Sequence, residues 1–360
     1  MSSMDLTESL KIKYPIIQAP MAGSDTVELV AAASAAGALG SLGAQYKKPE
    51  ELRDAIAEIK RLTDKPFAVN LFALPELAAP SDEEIEQARS CLSSYYVKFS
   101  VPAPSPESVR SGIDPAAQLH VVLDERVPVF SFTLGILEDK WIRAFKKAGT
   151  FLIGTATNVK EARALEAAGV DAIIAQSAEA GGHRGTFIGS FEDSMIGGLA
   201  LIPQVVDAVS LPVIAAGGIM DGRGIAAALA LGAQAVQMGT AFLTVEECAV
   251  HPAYKNAIQA HDAEDTTITK VFSGGPARGI KNIFIDENRQ KPLLAFPYHN
   301  SLTRPVRRVA NESGKIEYTN LWSGQAGRLA RTLPVKELVE RLLAETEQVI
   351  SKLHRRLQDA

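Results

Sequence analysis

Short apolar runs alternate along the chain with alanine-rich segments whose apolar residues recur at helical spacing. The apolar runs lack the polar alternation of a half-exposed strand, which is typical of parallel strands covered on both faces. The alanine-rich segments predict helices, several of which stop at a glycine. We expect strands at residues 14–18, 38–41, 66–72, 129–133, 151–155, 172–176, 212–216 and 235–238, and helices at 25–36, 49–62, 139–148, 159–168, 198–209 and 224–231.

This alternation gives eight strand–helix units if the helix of the eighth unit is displaced. Strands that alternate with helices form a parallel sheet with right-handed crossovers. Eight such units predict an α/β fold of the closed (β/α)8 TIM-barrel type, with an open doubly wound sheet as the alternative. No GxGxxG pattern follows the first strand, which argues against a dinucleotide-binding Rossmann start.

One stretch interrupts the pattern after the third strand. Residues 73–106 form an elaboration with a helix at 81–96, for which Ser81 is the expected N-cap and Glu84 occupies the capping-box position. A further helix is expected at 107–119 before the strand–helix pattern returns. For the first helix of the chain, the expected N-cap is Ser24 or Asp25.

From residue 245 the strand–helix unit no longer repeats. We interpret residues 245–317 as a smaller α/β domain inserted at the catalytic end of the barrel, where it covers the substrate. The barrel domain then comprises residues 1–244 and 318–360 and ends in a strong amphipathic helix at 334–357. The apolar stripe of that helix either packs on its own barrel or forms the seam of a homodimer.

Composition and charge argue against several classes of partner. The chain has 360 residues, a net charge of −5 and a sequence pI near 5.8, and it carries no basic stripe typical of binding to nucleic acid or anionic membranes. No apolar run approaches the roughly 20 residues of a membrane span, and residues 1–10 lack a signal-peptide pattern. Cys91 and Cys248 form neither a disulfide framework nor a CxxC metal site, so we expect a cytoplasmic protein without a metal.

A polar, glycine-rich loop after the sixth strand is the strongest candidate for chemistry. It contains Gly181, Gly182 and Gly185, which allow a ligand to approach the main chain closely. His183, between them, is the only side chain of the loop that titrates near neutral pH without a large shift. Loops at strand ends commonly carry the chemistry of α/β enzymes, and the alternative is a surface turn with an incidental histidine.

Two further glycine turns end the last two strands. Gly217 and Gly218 follow the seventh strand, and Gly239 and Thr240 follow the eighth. In this fold the loops after these strands commonly build a phosphate site from backbone N–H groups, which requires bare backbone. The two turns together predict a ligand that bears a phosphate, whereas either turn alone could serve only to reverse the chain.

Residues at other strand ends should meet at the same mouth of the barrel. Ala19 and Met21 follow the first strand, where their backbone could lie under a flat cofactor ring. Asn70 and Gln176 come at the ends of the third and sixth strands, so their amides could contact the edge of a heteroaromatic ring or bond to a neighbouring loop. Convergent polar groups in an apolar pocket are typical of a small-molecule site.

With these residues in place, the chain resembles nitronate monooxygenase, formerly called 2-nitropropane dioxygenase, and is nearer the class I branch. The likeness runs from the first strand to near the C-terminal helix. The glycine loop and the two glycine turns are specific to the wider flavin family, and the Pro-Tyr…Leu-Thr segment favours this branch. The matching segments are Pro15-Ile16-Ile17-Gln18-Ala19-Pro20-Met21, Asn70, Glu179-Ala180-Gly181-Gly182-His183-Arg184-Gly185, 212–218, Gln237-Met238-Gly239-Thr240, Pro297-Tyr298, Asn300, Leu302-Thr303 and Trp322-Ser323-Gly324-Gln325.

The resemblance implies a barrel that binds FMN, without a metal, and oxidises an alkyl nitronate such as propionate 3-nitronate with O2 to a carbonyl compound and nitrite. It places His183 at the reactive edge of the flavin. Carried over by motif, Gly217, Gly218, Gly239 and Thr240 would hold the FMN phosphate, Ala19, Met21, Asn70, Gln176, Gly181 and Gly182 would contact the rest of the cofactor, and Gln325 would close its site.

The substrate pocket departs from the family pattern at two places. Ser177 stands where a glycine is expected, and Thr133-Leu134-Gly135 stands where an aromatic residue is expected before the glycine. These departures put the substrate preference in doubt more than the chemistry. Tyr254 and Tyr298 of the smaller domain are candidate walls of the same pocket, with ordinary packing as the alternative.

The role of His183 and the reaction class stay open between alternatives. The imidazole could stabilise an anionic nitronate or remove the α-proton of a neutral nitroalkane. The nearest rival function is an FMN-dependent NAD(P)H:quinone or enoyl-acyl-carrier-protein reductase. A non-redox isomerase or aldolase would need a lysine or paired carboxylates at strand ends that carry Asn, Gln and Thr instead. A third rival is a flavin-binding protein without turnover.

Overall fold

A computed structural model describes residues 5–75 and 77–359 of the chain. Residues 1–4, which belong to the N-terminal segment discussed above, lie outside the described residues. The main sheet consists of β1 (Ile16–Gln18), β2 (Gly40–Gly43), β3 (Phe67–Phe72), β4 (Val129–Thr133), β5 (Phe151–Ala156), β6 (Ala172–Gln176), β8 (Val213–Ala216) and β9 (Ala235–Met238), and a smaller sheet consists of β7 (Gly182–His183), β10 (Thr266–Thr269) and β11 (Ala277–Ile280).

The eight strands of the main sheet are all parallel and follow the order β1-β9-β8-β6-β5-β4-β3-β2. The two ends of this order meet, because Ile17 and Leu39 form a parallel bridge. The Gln18 N–H donates to the Leu39 carbonyl at 2.9 Å, and the Leu39 N–H donates to the Ile16 carbonyl at the same distance. The (β/α)8 barrel predicted from the sequence is therefore confirmed, and the open doubly wound alternative is wrong.

The helices follow the predicted alternation, with differences at their ends. Asp25 does not cap the first barrel helix, because the Thr26 side chain accepts from the Leu29 N–H and takes that position. The helices are α1 (Leu6–Leu10), α2 (Val27–Ala35), α3 (Pro49–Leu62), α4 (Asp82–Cys91), α5 (Ser93–Lys98), α6 (Pro106–Arg110), α7 (Pro115–Asp124), α8 (Asp139–Ala148), α9 (Val159–Ala168), α10 (Gly198–Ala208), α11 (Gly222–Ala230), α12 (Thr240–Leu243), α13 (Pro252–Ala260), α14 (Ile283–Asn288), α15 (Tyr298–Glu312) and α16 (Val335–Gln358).

Two helices expected as single segments are each broken into two. The helix at 81–96 divides into α4 and α5 around Leu92, although the capping box of Ser81 and Glu84 forms as predicted. The helix at 107–119 divides into α6 and α7, because Asp114 caps a new start with proline at its first position. The fifteen-residue helix α15 was not predicted, and it contains Pro305.

The amino-terminal end of the barrel is closed by α1. Leu6 and Leu10 pack in one cluster with Val129, Ala172 and other residues of the barrel interior. The Leu6 N–H also donates to the Gln234 side-chain oxygen at 3.1 Å. The opposite end, where the strands finish, is therefore the end that remains available for a ligand.

The elaboration after β3 packs against the late part of the chain. Ile85 and Tyr96 of α4 and α5 share an apolar cluster with Phe284 and Leu302 of α14 and α15. The smaller sheet has the order β10-β11-β7, so it pairs two late strands with the glycine loop of the barrel. The division into a barrel of residues 1–244 plus 318–360 and a domain of residues 245–317 stays a prediction.

The C-terminal helix α16 packs on its own barrel along its first part. Leu338 and Leu342 are buried in a cluster that also contains Ile225 of α11. Leu353 and Leu357, in its last turns, are exposed. A homodimer stays a prediction. Within residues 5–75 and 77–359, the helices are too short or too polar to span a bilayer.

Candidate active site

A cavity of about 510 Å³ lies at the carboxyl ends of the barrel strands. This volume lies within the usual range of small-molecule sites. Thirteen of the fifteen site residues named from the sequence line it, whereas the described residues Gln325 and Tyr298 lie outside its lining. The thirteen are Ala19, Met21, Asn70, Thr133, Gln176, Gly181, Gly182, His183, Gly217, Gly218, Gly239, Thr240 and Tyr254.

His183 lies in a strand and not in a free loop. Residues Gly182 and His183 form β7, which pairs antiparallel with Ala277 and Arg278 of β11. The next N–H, that of Arg184, donates to the Pro276 carbonyl at 2.8 Å. Gly182 has φ +75°, a conformation that favours glycine and turns the chain into this short strand. The second sheet therefore fixes the backbone that presents the histidine.

Gln176, at the end of β6, holds the same segment from the barrel side. Its amide nitrogen donates to the His183 carbonyl at 3.0 Å, and its amide oxygen accepts from the Gly185 N–H at 2.8 Å. Gln176 thus lines the cavity and also makes the structural hydrogen bonds that the sequence left as an alternative.

Two buried charged side chains also hold this segment, and neither was assigned a role from the sequence. Arg184 is 1% exposed and donates to the carbonyls of Gln176, Ser177 and Ser194. Burial lowers the pKa of its guanidinium to about 10, so it stays charged at neutral pH. A buried arginine that donates to three carbonyls of one loop fixes the shape of that loop.

Glu161 of α9 is fully buried and anchors the chain beyond Arg184. Its carboxylate accepts from the N–H groups of Phe187 and Ile188 at 2.5 and 2.8 Å. It also accepts from the N–H and the hydroxyl of Thr157 at 2.6 and 2.7 Å. Four donors around one carboxylate offset the cost of its burial. A glutamate three residues after a helix N-cap carries no sequence signal for this role.

The His183 ring lies among aromatic side chains. Its centroid is 5.8 Å from Phe72, 5.3 Å from Phe296 and 5.7 Å from Trp322. Its Nε2 lies 2.8 Å from the Ser273 hydroxyl. Burial, together with the positive charge of Arg307, lowers the pKa of His183 to about 4. The imidazole is therefore neutral at physiological pH, which disfavours a role as a permanent cation.

Asn70 and Tyr254, two other polar residues of the cavity, have protein partners. The Asn70 amide donates to the Ser131 hydroxyl at 2.9 Å. The Tyr254 hydroxyl donates to the Trp322 carbonyl at 2.7 Å, and burial raises the pKa of that phenol. Tyr254 is 4% exposed, so most of its ring is core and only part of it reaches the cavity.

The glycine turns leave bare backbone at the cavity wall. Gly217 and Gly218 have φ values of +115° and +69°. A side chain at Gly217 would overlap the buried Ser177 hydroxyl, whose oxygen has no hydrogen-bond partner among the described residues. The N–H groups of Gly218 and Gly239 also have no acceptor within residues 5–75 and 77–359. These features suit an anionic ligand that contacts the backbone.

Asp25 does not form the helix cap that was expected from the sequence, but forms hydrogen bonds with the loop after β1 at the cavity. Its carboxylate accepts from the Met21 N–H at 2.8 Å and from the Gly43 N–H at 2.6 Å. Burial raises the pKa of Asp25 to about 6, against the opposing effect of these two bonds. Asp25 therefore joins the loop after β1 to the end of β2.

The structure adds cationic residues that the sequence did not single out. Arg304 and Arg307 of α15 line the cavity. They come from the unpredicted helix, so their placement had no signal in the strand–helix pattern. Tyr46 lines the same cavity. Burial raises the pKa of its phenol, and the positive charges of Arg307 and Arg304 oppose this shift.

Comparison with known proteins decides the family. The sequence profile described as nitronate monooxygenase matches residues 3–345. The chain belongs to the nitronate monooxygenase family. A probable nitronate monooxygenase of Staphylococcus haemolyticus (strain JCSC1435) is 44% identical over 350 residues, which cover 96% of this chain and 98% of that protein. A probable nitronate monooxygenase of Staphylococcus aureus (strain MSSA476) is 43% identical with the same coverage.

Two solved structures match the chain over nearly its whole length. A nitroalkane oxidase from Streptomyces ansochromogenes matches with a TM-score of 0.90 and 40% identity, over 97% of this chain and all of that one. FabK from Thermotoga maritima matches with a TM-score of 0.77 and 34% identity, over 98% of both chains. As a member of the nitronate monooxygenase family, the protein is an oxidoreductase enzyme that acts on nitronates. Among its described residues, no cluster of His, Cys, Asp and Glu is arranged to hold a metal.

Proposed function

We propose that this member of the nitronate monooxygenase family uses FMN and O2 to convert an alkyl nitronate, such as propionate 3-nitronate, into a carbonyl compound and nitrite. The observation that carries the proposal is that His183 and the glycine turns after β8 and β9 line one cavity. A cofactor held by its phosphate at those turns can present a ring to the histidine within the same space. Bound FMN would supply the electron transfer to and from the substrate and O2.

The residues of the cavity fit FMN. The phosphate would bind at Gly217, Gly218, Gly239 and Thr240, because the N–H groups of Gly218 and Gly239 lack a protein acceptor among the described residues. Glycine is needed at position 217 because a side chain there would overlap the Ser177 hydroxyl. The ring and ribityl chain would contact Ala19, Met21, Asn70, Gln176, Gly181 and Gly182. Gln325 keeps a backbone role in this arrangement, since its N–H donates to the Glu179 carbonyl at 3.0 Å.

A neutral His183 would act as a hydrogen-bond partner of the substrate. A base whose conjugate acid has a pKa near 4 gives little driving force for removing a proton from a neutral nitroalkane. The aromatic side chains around the ring lower the local polarity, which strengthens a hydrogen bond between the imidazole and a nitronate oxygen. We therefore propose that preformed nitronates are preferred to their parent nitroalkanes.

Spectra of the purified protein test the cofactor first. We expect a yellow protein with FMN absorption, or a colourless one that becomes yellow when FMN is added. Failure to load the purified protein with FMN would contradict the proposed function. Addition of NADH or NADPH without O2 tests the rival NAD(P)H-dependent reductase: slow or absent loss of flavin colour supports nitronate oxidation, whereas rapid loss supports the reductase.

The variant His183→Asn tests the histidine. We expect it to retain FMN and to lose about 10²-fold in nitronate turnover, the usual cost of removing one positioned hydrogen-bond donor. The exposed residue His354, in the last turns of α16, offers a matched control as His354→Asn. Unchanged turnover in a His183→Asn protein that is loaded with FMN would remove the histidine from the mechanism.

A further inference from the structure

Arg307 places a positive charge in the cavity wall without a carboxylate beside it. Its Nε donates to the Thr303 hydroxyl at 3.0 Å, and its two terminal nitrogens donate to the side-chain oxygens of Asn320 and Asn300 at 2.7 and 2.6 Å. These acceptors are all neutral. They fix the direction of the guanidinium but leave its charge unbalanced.

The neighbouring charges do not neutralise it. Arg304, one turn earlier on α15, also lines the cavity, and in the described part of the chain neither arginine forms a salt bridge. Glu312 lies at the same wall but is paired with Arg308 at 3.2 Å. The carboxylate of Asp25 is occupied by two backbone N–H groups. The wall around α15 therefore presents positive charge to the cavity.

The charge of Arg307 persists at neutral pH and reaches His183. Burial lowers the pKa of the guanidinium to about 10, which still leaves it protonated. Its charge is one cause of the low pKa of His183. Arg307 and His183 can therefore interact with a ligand in different ways. Only the cation Arg307 can balance a full negative charge on the ligand, whereas the neutral imidazole of His183 can only form hydrogen bonds.

We propose that Arg307, assisted by Arg304, is the residue that holds the negative charge of the substrate. This assignment rests on the proposed function and deepens it, since it makes the cavity selective for anionic substrates over neutral ones of the same shape. His183 then contacts the reacting group without carrying charge. The guanidinium donates to four neutral acceptor atoms, the fourth being the Asn300 carbonyl at 3.3 Å, so it is already oriented and the anion binds with little loss of side-chain freedom.

Calorimetric titration of the FMN-loaded protein with sodium nitrate tests the assignment without turnover. Nitrate is a planar oxyanion with the same charge as the nitronate group. We expect Arg307→Gln to weaken nitrate binding about tenfold or more, consistent with loss of a charge-assisted hydrogen bond. Arg307→Lys should retain part of the affinity. Arg143→Gln, which removes an exposed arginine from the outer helix α8, is the matched control and should bind as the wild type does.

Kinetics provide the second measurement. For Arg307→Gln, we expect KM for a nitronate without a carboxylate, such as ethylnitronate, to rise about tenfold while KM for the neutral parent nitroethane changes less than about twofold. If Arg307→Gln does not fold, Arg304→Gln replaces it, because Arg304 is exposed and should show a smaller loss of the same kind. Folded Arg307→Gln or Arg304→Gln with unchanged nitrate affinity and unchanged KM would overturn the assignment.

The two proposals fail in different ways. If the wild type oxidises nitronates and the arginine variants match it, only the anion assignment fails. If nitrate binds through Arg307 but nitronates are not oxidised, the anion site stands and the proposed reaction fails. A further outcome is that NADPH bleaches the flavin of the wild type rapidly without O2 but fails to do so in Arg307→Gln. That result would assign Arg307 to a phosphate of the nucleotide, and it would overturn both the proposed function and the anion assignment.

Discussion

The side-chain amide of Gln176 donates to the backbone carbonyl of His183 at 3.0 Å. The same amide accepts from the Gly185 N–H, so one side chain at the end of β6 holds the main chain on both sides of the histidine. The barrel therefore positions the imidazole through Gln176, which need not contact the substrate itself. A positioning role of this kind is separable from binding.

Replacing Gln176 should affect turnover more than folding. Gln176→Glu keeps an acceptor for the Gly185 N–H but replaces the donor to the His183 carbonyl with an oxygen. We expect kcat for a nitronate to fall about tenfold, corresponding to about 1.4 kcal/mol, with FMN still bound. Gln204→Glu, on the exposed side of α10, is the matched control. Equal kcat values for the two variants would contradict the positioning role.

Glu161 should matter for the stability of the histidine segment. Glu161→Gln replaces acceptors of four hydrogen bonds with a group that can satisfy only part of them. We expect the free energy of unfolding to fall by about 2–3 kcal/mol, the scale of hydrogen bonds to a buried charge. Urea denaturation measures it. Glu58→Gln, which removes only an exposed pair with Arg61, is the control and should leave the free energy of unfolding almost unchanged.

Gly217 should tolerate no side chain. Gly217→Ala would place a methyl group on the Ser177 hydroxyl at φ +115°, and we expect loss of FMN affinity. Gly149→Ala is the control, because Gly149 has φ +80° but open space around it. The control should cost only about 1–2 kcal/mol of stability from backbone strain. Fluorescence titration with FMN compares them, and an additional Ser177→Gly change should recover part of the lost affinity.

The buried His299 predicts a definite pH dependence of stability. Its Nε2 donates to the Val271 carbonyl at 3.0 Å, and burial lowers its pKa to about 4. Between pH 6.5 and 4 the unfolded chain binds a proton that the folded chain does not, so wild-type stability falls as pH falls.

His299→Gln removes this dependence. The variant should be less stable than the wild type at pH 7.5, and the difference should shrink by up to about 1.4 kcal/mol per pH unit as pH falls below 6.5. Asp25, whose pKa is raised, acts in the opposite direction but is common to both proteins and cancels in the difference. Denaturation at pH 5 and 7.5 measures this difference, and a gap that widens at pH 5 would contradict the assignment.

The barrel could be predicted because its signals are local. Buried parallel strands give continuous apolar runs, and β4, β6 and β9 begin and end at the predicted residues. The glycine turns and His183 follow those strands directly, so counting strands was enough to bring them to one mouth. Thirteen of the named residues line a single cavity for that reason.

The rest could not be predicted because it depends on contacts between distant segments. α15 carries a proline in its interior and follows no strand, yet it supplies Arg307 to the cavity. The pairing of β7 with β11 joins residues about a hundred positions apart through a two-residue strand. Tyr298 was named by its motif, but it packs against the cluster of α14 and α15 and does not line the cavity.

Simultaneous measurement of oxygen uptake and nitrite release tests the central claim most directly. The FMN-loaded protein is mixed with propionate 3-nitronate in air, with the His183→Asn variant in parallel. We predict that the wild type consumes O2 and releases nitrite in the absence of NADH and NADPH, and that the variant does both about 10²-fold more slowly. An FMN-loaded wild type that releases no nitrite from the nitronate would contradict the account.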